Sequence, residues 1–254
     1  MRGNWAAGAI LQPKKEPMRT HPWFTVKKVH PHVVAIAEFL HDEKVISYLL
    51  LGKKQAYLID TGMGRANIAS VVKQITHLPV FVLLTHSHWD HSGGVSLFLS
   101  VYVFDHPWEQ QQLHTTYPKK RLYLLKDKQL LLDGDLAIQV LHTPGHTPGS
   151  VCYYVPKYHL LFTGDTLYPG PLYAHLPESD VSSYIQSLLR LETLTKDSLV
   201  QVFPGHNCMT ASSALIHEAY TGFSALLQGR LAVSRVIRHT KVYTLDTLSI
   251  VISI

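Results

Sequence analysis

Apolar residues fall along the chain in two recurrent patterns, and their alternation predicts a mixed α/β protein. Short β-type runs occupy Val33–Ala37, Ile46–Leu51 and Ala56–Asp60, with Gly52-Lys53-Lys54 as a turn between the last two. Over residues 65–76, Ile68, Val71, Val72 and Ile75 recur at the spacing of one face of an amphipathic helix. Further strands are predicted at Val80–Thr85, Ala137–Thr143, Val151–Val155, His159–Thr163 and Leu199–Phe203. Ser179 or Asp180 caps a helix running to Leu194, with Val181, Ile185, Leu188 and Leu189 on one face. Another helix fills much of 210–234, and Lys241–Ile254 reads as a strand or hairpin with Asp246 near its bend. Strands and helices do not keep a strict βαβ rhythm, so the pattern favours mixed sheets over a fully parallel one.

Composition narrows the partners. With 46% hydrophobic and 16% charged residues over 254 positions, the chain can bury a sizeable core and is not disordered. A net charge of +5 without a basic run or arginine-rich face argues against nucleic acid. No apolar run reaches the roughly 18 residues that span a bilayer. The Trp5–Leu11 patch lacks a clear cleavage site, so the expected compartment is the cytoplasm. Residues 1–22 read as an N-terminal extension, with Met18 as an alternative start, before one domain over 23–254. Cys152 and Cys208 read as small buried hydrophobes rather than a disulfide framework. Histidine changes the picture. Seventeen are present, and imidazole is the commonest metal ligand.

Their placement matters more than their number. Five predicted strands each run into a loop containing Gly or Pro and carrying His or Asp. These are Asp60-Thr61-Gly62, Thr85 to His91, His142-Thr143-Pro144-Gly145-His146, Thr163-Gly164-Asp165 and Pro204-Gly205-His206. Polar groups on loops at one edge of a rigid sheet are a common way to build a site. The run His86-x-His88-x-Asp90-His91 would arise by chance in roughly one of three hundred shuffled chains of this composition. On a strand, His91 would face away from His86, His88 and Asp90. Ser92-Gly93-Gly94 points instead to a loop entering a helix, which lets Asp90 and His91 both turn inward and two metal ions share the segment. Imidazole and carboxylate suit zinc, and iron or manganese accept similar sets.

This ordered series, over 24–254, resembles the metallo-β-lactamase-fold hydrolase superfamily. The resemblance implies a four-layer αββα sandwich with two mixed sheets and two Zn²⁺ at one edge. By it, His86, His88 and His146 hold the first ion, and Asp90, His91 and His206 the second. Asp165 bridges them, and Asp60 orients the ligand loop. True β-lactamases of the commonest types carry Cys, or no carboxylate, where Asp165 stands, and flavodiiron proteins carry Glu in place of His88. Phe162–Leu167 is similar to glyoxalase II, but that enzyme adds a long helical tail, whereas 48 residues follow His206. Tyr168 stands three residues after Asp165, as in quorum-quenching lactonases. Asp165-x-x-Tyr168-x-Gly170-x-Leu172, with Leu176-Pro177-Glu178-Ser179, is similar to an acyl-CoA thioesterase branch.

The expected function is a zinc-dependent hydrolase in which a metal-bound hydroxide cleaves a thioester, ester or lactone. Asp90, Asp165 and Tyr168 are its candidate catalytic residues, with the Tyr168 phenol donating to a developing oxyanion. Pro, Leu and Tyr around 168–176 favour a small-molecule acyl substrate, and a homodimer is left open. His142 and His175 read as surface or supporting residues. Lys53-Lys54 and Lys119-Lys120-Arg121 read as solvated surface, with the phosphates of a CoA-like substrate as the other reading. Two rivals remain: a mononuclear iron persulfide dioxygenase using His86, His146 and Asp165, and a phosphodiesterase or nuclease of the same fold.

Overall fold

The apolar runs pair into three mixed sheets in the computed structural model, which describes residues 21–196 and 199–254. The extension expected over 1–22 lies, as far as residue 20, outside the described residues. In the first sheet β1 (Thr25–His30), β2 (Val33–Ala37), β3 (Ile46–Leu51) and β4 (Ala56–Ile59) are antiparallel neighbours. After helix α1 (Ile68–Ile75), β5 (Val80–Leu83) lies parallel to β4. Helix α2 (Trp89–Ser92), β6 (Ser100–Phe104), α3 (Pro107–Thr116) and β7 (Leu122–Leu125) follow, with β5, β6 and β7 parallel. The second sheet contains β8 (Leu130–Asp133), β9 (Leu136–His142), β10 (Val151–Val155) and β11 (Leu160–Gly164). Then come β12 (Pro171–Ala174), α4 (Val181–Thr195), β13 (Gln201–Pro204), β14 (Ala211–Ser212) and α5 (Ala214–Leu227). Strands β13 and β14 extend the second sheet beside β11.

Alternation along each buried strand divides the core into layers. Val33, Ala35 and Ala37 of β2 meet Ile138, Val140, Tyr153 and Phe162 of the second sheet, whereas Val34 and Ile36 pack with Ile68, Val71 and Val72 of α1. Val151, Tyr153 and Val155 of β10 likewise face the first sheet, while Cys152 and Tyr154 pack with Tyr184, Leu188 and Phe223 of α4 and α5. Strands apolar on both faces are what a sheet covered on both sides requires. The result is the αββα sandwich expected from the sequence.

Several bounds shift for local reasons. Helix α1 begins at Ile68, later than expected, because the Asn67 side chain accepts from the Ser70 amide at 3.1 Å and caps it there. Strand β4 stops at Ile59 because Asp60 takes φ +58°. A third sheet, unforeseen, joins β12 to the tail, where β15 (Arg235–Ile237), β16 (Thr240–Thr244) and β17 (Ser249–Ser253) follow in order. The expected tail hairpin is β16–β17, and β17 runs parallel to β12. Among the described residues, no helix is long and apolar enough to cross a membrane.

Candidate metal centre

Strand ends from both sheets converge on one cluster. Asp60, in left-handed backbone just past β4, accepts from the Thr85 amide at 2.7 Å and from the Thr85 hydroxyl at 2.8 Å. Its Oδ2 also lies 2.8 Å from His91 Nδ1. The Thr61 hydroxyl donates to the His91 carbonyl at 3.0 Å, so the loop after β4 grips the loop after β5. Extended backbone at His88 (φ −58°, ψ 151°) gives way to α2 at Trp89. That switch ends strand alternation, and both Asp90 and His91 are buried, facing the cluster.

Five imidazoles present one nitrogen outward to a fixed partner and the other inward. The outward partners are Thr85 Oγ1 for His86 Nδ1 (3.1 Å), Glu178 Oε1 for His88 Nε2 (2.8 Å) and the Tyr173 carbonyl for His146 Nδ1 (3.0 Å). Asp60 serves His91, and the Glu43 carbonyl serves His206 Nδ1 at 2.6 Å. Each partner is an acceptor, since the Thr85 hydroxyl already donates to Asp60, so each ring keeps a proton on its outward nitrogen. Burial lowers the pKa of His91 and His206, but Asp165 facing their inward nitrogens outweighs it and raises both, so these two rings give up a proton when a cation takes that place. His88 Nδ1 lies 3.1 Å from His86 Nε2 and 3.0 Å from His146 Nε2, and His91 Nε2 lies 3.1 Å from His206 Nε2.

Asp165, just past β11, stands between the two groups. Its Oδ1 is 3.0 Å from Nε2 of both His91 and His206, and its Oδ2 is 3.4 Å from His146 Nε2. That buried Oδ1 makes no hydrogen bond. Asp90 Oδ2 lies 3.5 Å from His206 Nε2 and 3.7 Å from His91 Nε2. Three sets of donor atoms lie close enough to share an ion: His86, His88 and His146; His86, His91 and Asp165; and Asp90, His91 and His206. Ring nitrogens crowded within about 3 Å of one another around a buried carboxylate oxygen that makes no hydrogen bond are the arrangement a cation among them would satisfy. The residues therefore fit divalent metal ions. Burial, with neighbouring His91 and His88, pushes the His86 pKa well below its ordinary value, keeping it neutral as a ligand must be. Burial raises the Asp165 carboxyl, but His206 and His91 outweigh it and hold it well below the usual carboxylate range.

A cavity of about 440 Å³ opens over the cluster. Tyr168, Pro171, Tyr173 and Leu176 line it, as the apolar stretch implied, together with the acidic Asp42, Glu43 and Glu178. None of its lining residues is Lys or Arg. Lys53 and Lys54 precede β4 and Arg121 precedes β7, at the strand starts, whereas the cluster sits past the strand ends. The Tyr168 hydroxyl, expected to serve an oxyanion, donates to the Pro171 carbonyl. His142 stacks on Phe104 at 4.1 Å, and His175 packs edge-on against Tyr173; neither joins the donor sets.

Glu109 escaped sequence reading. This fully buried α3 residue accepts from the hydroxyls of Ser87 and Thr147, each at 2.5 Å, and from the Gly149 amide at 3.2 Å. It thereby ties the loop bearing His86 and His88 to the loop bearing His146. A single acid beside Gln110, Gln111 and Gln112 was the available signal, and sequence alone does not tell that it is buried.

The Metallo-beta-lactamase superfamily profile matches residues 43–206. The chain belongs to the metallo-β-lactamase superfamily. Within it, the chain is 27% identical over 232 residues to "Acyl-coenzyme A thioesterase MBLAC2" of Gallus gallus, covering 76% of this chain and 84% of that protein. It is 32% identical over 175 residues to "Hydroxyacylglutathione hydrolase" of Citrobacter koseri, covering 64% and 63%. The structure of "Metallo-beta-lactamase from Pontibacter korlensis" superposes with a TM-score of 0.66 at 21% identity, over 79% of this chain and 99% of that one; it shares the fold.

Proposed function

We propose that this hydrolase cleaves a small acyl thioester with two zinc ions, one held by His86, His88 and His146 and the other by Asp90, His91 and His206. Asp165 lies between them, and residues 23–254 act as one catalytic domain, expected in the cytoplasm. The carrying observation is the crowding of five inward imidazole nitrogens into two groups, with the buried Asp165 carboxylate between them. Thioester, rather than ester or lactone, is favoured by the two named relatives. When bound, such ions lower the pKa of a water enough to supply hydroxide near neutral pH.

The chain's own groups handle the rest. Tyr168, Pro171, Tyr173 and Leu176 exclude water from an acyl chain lying in the cavity. Asp90 lines that cavity, where the carboxylate oxygen not turned to His91 and His206 can take the proton of the attacking water. A thiolate leaves without a separate general acid, consistent with a cavity that offers no Lys or Arg. For the same reason a phosphorylated headgroup lies outside the cavity while the acyl half lies within.

The test is metal analysis of the purified protein alongside a panel of thioesters, lactones, phosphodiesters and persulfides. Two zinc per chain with thioester hydrolysis supports the reading. One iron with oxygen uptake on persulfides replaces it with the mononuclear dioxygenase that His86, His146 and Asp165 alone would suit.

A further inference from the structure

The substrate wall and the metal centre are tied together. Residues 171–180 form one side of the cavity through Pro171, Tyr173, Leu176 and Glu178. This wall meets the first histidine triad and the loop that carries His146 at four points. His146 Nδ1 donates to the Tyr173 carbonyl at 3.0 Å, and the Ser179 hydroxyl donates to the His146 carbonyl at 2.8 Å. The Asp180 amide donates to the Gly145 carbonyl at 2.9 Å. The fourth point is the His88 Nε2 proton on Glu178 Oε1 at 2.8 Å, across 90 residues of chain.

Among the four, only the Glu178 contact is between two side chains. Of the five outward imidazole partners, Tyr173 and Glu43 offer backbone carbonyls, Thr85 belongs to the ligand loop itself, and Asp60 to the buried loop after β4. Glu178 alone is a cavity-lining side chain. His88 is also the least buried of the five rings, its side chain 21% exposed, so packing alone does not fix it. A carboxylate on the far nitrogen of a ligand histidine sets its tautomer, aims its lone pair and raises its basicity.

We infer that Glu178 is a positioning residue that holds His88 in metal-binding orientation and couples metal occupancy to order in the substrate wall. This inference rests on the reading that His86, His88 and His146 hold a cation. Binding a cation at His88 strengthens the polarised N–H to Glu178, and that contact in turn restrains residues 171–180. Zinc thus orders the wall against which an acyl chain would lie.

The experiment compares the parent with Glu178→Ala and Glu178→Gln by zinc competition against a chromophoric chelator, without substrate. Glu178→Ala is expected to weaken one of the two zinc equivalents by about 10- to 100-fold. Glu178→Gln keeps an acceptor oxygen and is expected to recover most of that loss. Hydrogen exchange of residues 171–180 should slow on zinc addition in the parent and much less in Glu178→Ala. Unchanged zinc affinity in Glu178→Ala overturns the positioning role, as does equal zinc protection of the wall in both proteins. Should Glu178→Ala fail to fold, Glu178→Met, of similar length but without an acceptor oxygen, takes its place, with the same 10- to 100-fold loss expected and unchanged affinity overturning the role. Weakened zinc affinity in a protein that turns over no thioester rejects the substrate class and leaves this inference standing. Thioester turnover with unchanged zinc affinity does the reverse.

Discussion

The Glu109 carboxylate accepts the Ser87 hydroxyl proton at 2.5 Å, from a helix that carries no ligand itself. Its other oxygen takes Thr147 and Gly149, so removing it strands the Ser87 hydroxyl and the Gly149 amide and leaves Thr147 with Ser150 alone. Glu109→Ala should lower the unfolding free energy of the metal-free protein by about 2–4 kcal/mol. Urea denaturation measures this. A loss under about 0.5 kcal/mol would show that the two loops hold their positions without the clamp.

Asp165 is the one carboxylate facing both histidine groups. Asp165→Asn replaces one oxygen with a donor that repels a cation, so zinc stoichiometry and hydrolysis should fall together. Full turnover with two zinc ions retained would sink its bridging place.

Tyr168 is buried and its hydroxyl proton rests on the Pro171 carbonyl. If that bond persists during turnover, Tyr168→Phe should reduce kcat less than about tenfold. Loss of an oxyanion donor costs about 10²- to 10³-fold instead. Steady-state kinetics separates the two, and the larger value would restore the phenol to the reacting atoms.

The cavity's lack of Lys and Arg predicts indifference to phosphates. An acyl-CoA and the matching phosphate-free cysteamine thioester should differ less than about fivefold in KM, with little salt dependence. A hundredfold preference for CoA would place a cationic headgroup site elsewhere on the chain.

Burial pushes the Cys152 thiol up from 9.0 to about 11. Between those values the unfolded chain ionises first, so the stability of the neutral buried thiol is complete below pH 9 and lost as pH approaches 11. Parent protein should lose stability across that window more steeply than Cys152→Ala. In the native state at pH 8, iodoacetamide should label the half-buried Cys208 and spare Cys152. Equal labelling would contradict the burial.

Much of the sandwich was legible because strands such as β2 and β10 are apolar on both faces. The metal residues were legible because they cluster after such strands. What escaped depends on distant partners. Strand β1 (TVKKVH) is largely exposed, and helix α3 buries little beyond Glu109 and Leu113, so neither carries a clear period. Glu109 and Glu178 gain their roles from Ser87, Thr147 and His88, 22 to 90 residues away. Strand β12 is visible only once β17 is beside it. Tyr168 shows the opposite limit: sequence located it beside the cavity, but only coordinates show where its proton points.

His86, His88, Asp90 and His91 come from the first sheet, and His146, Asp165 and His206 from the second. Each of the three donor sets except Asp90-His91-His206 draws on His86, and every set mixes the two sheets. A cation seated there is a rivet through the seam of the sandwich. Its binding energy opposes the parting of the sheets, so chelation should lower the melting temperature and loosen β5 and β11 together at the edge where they meet.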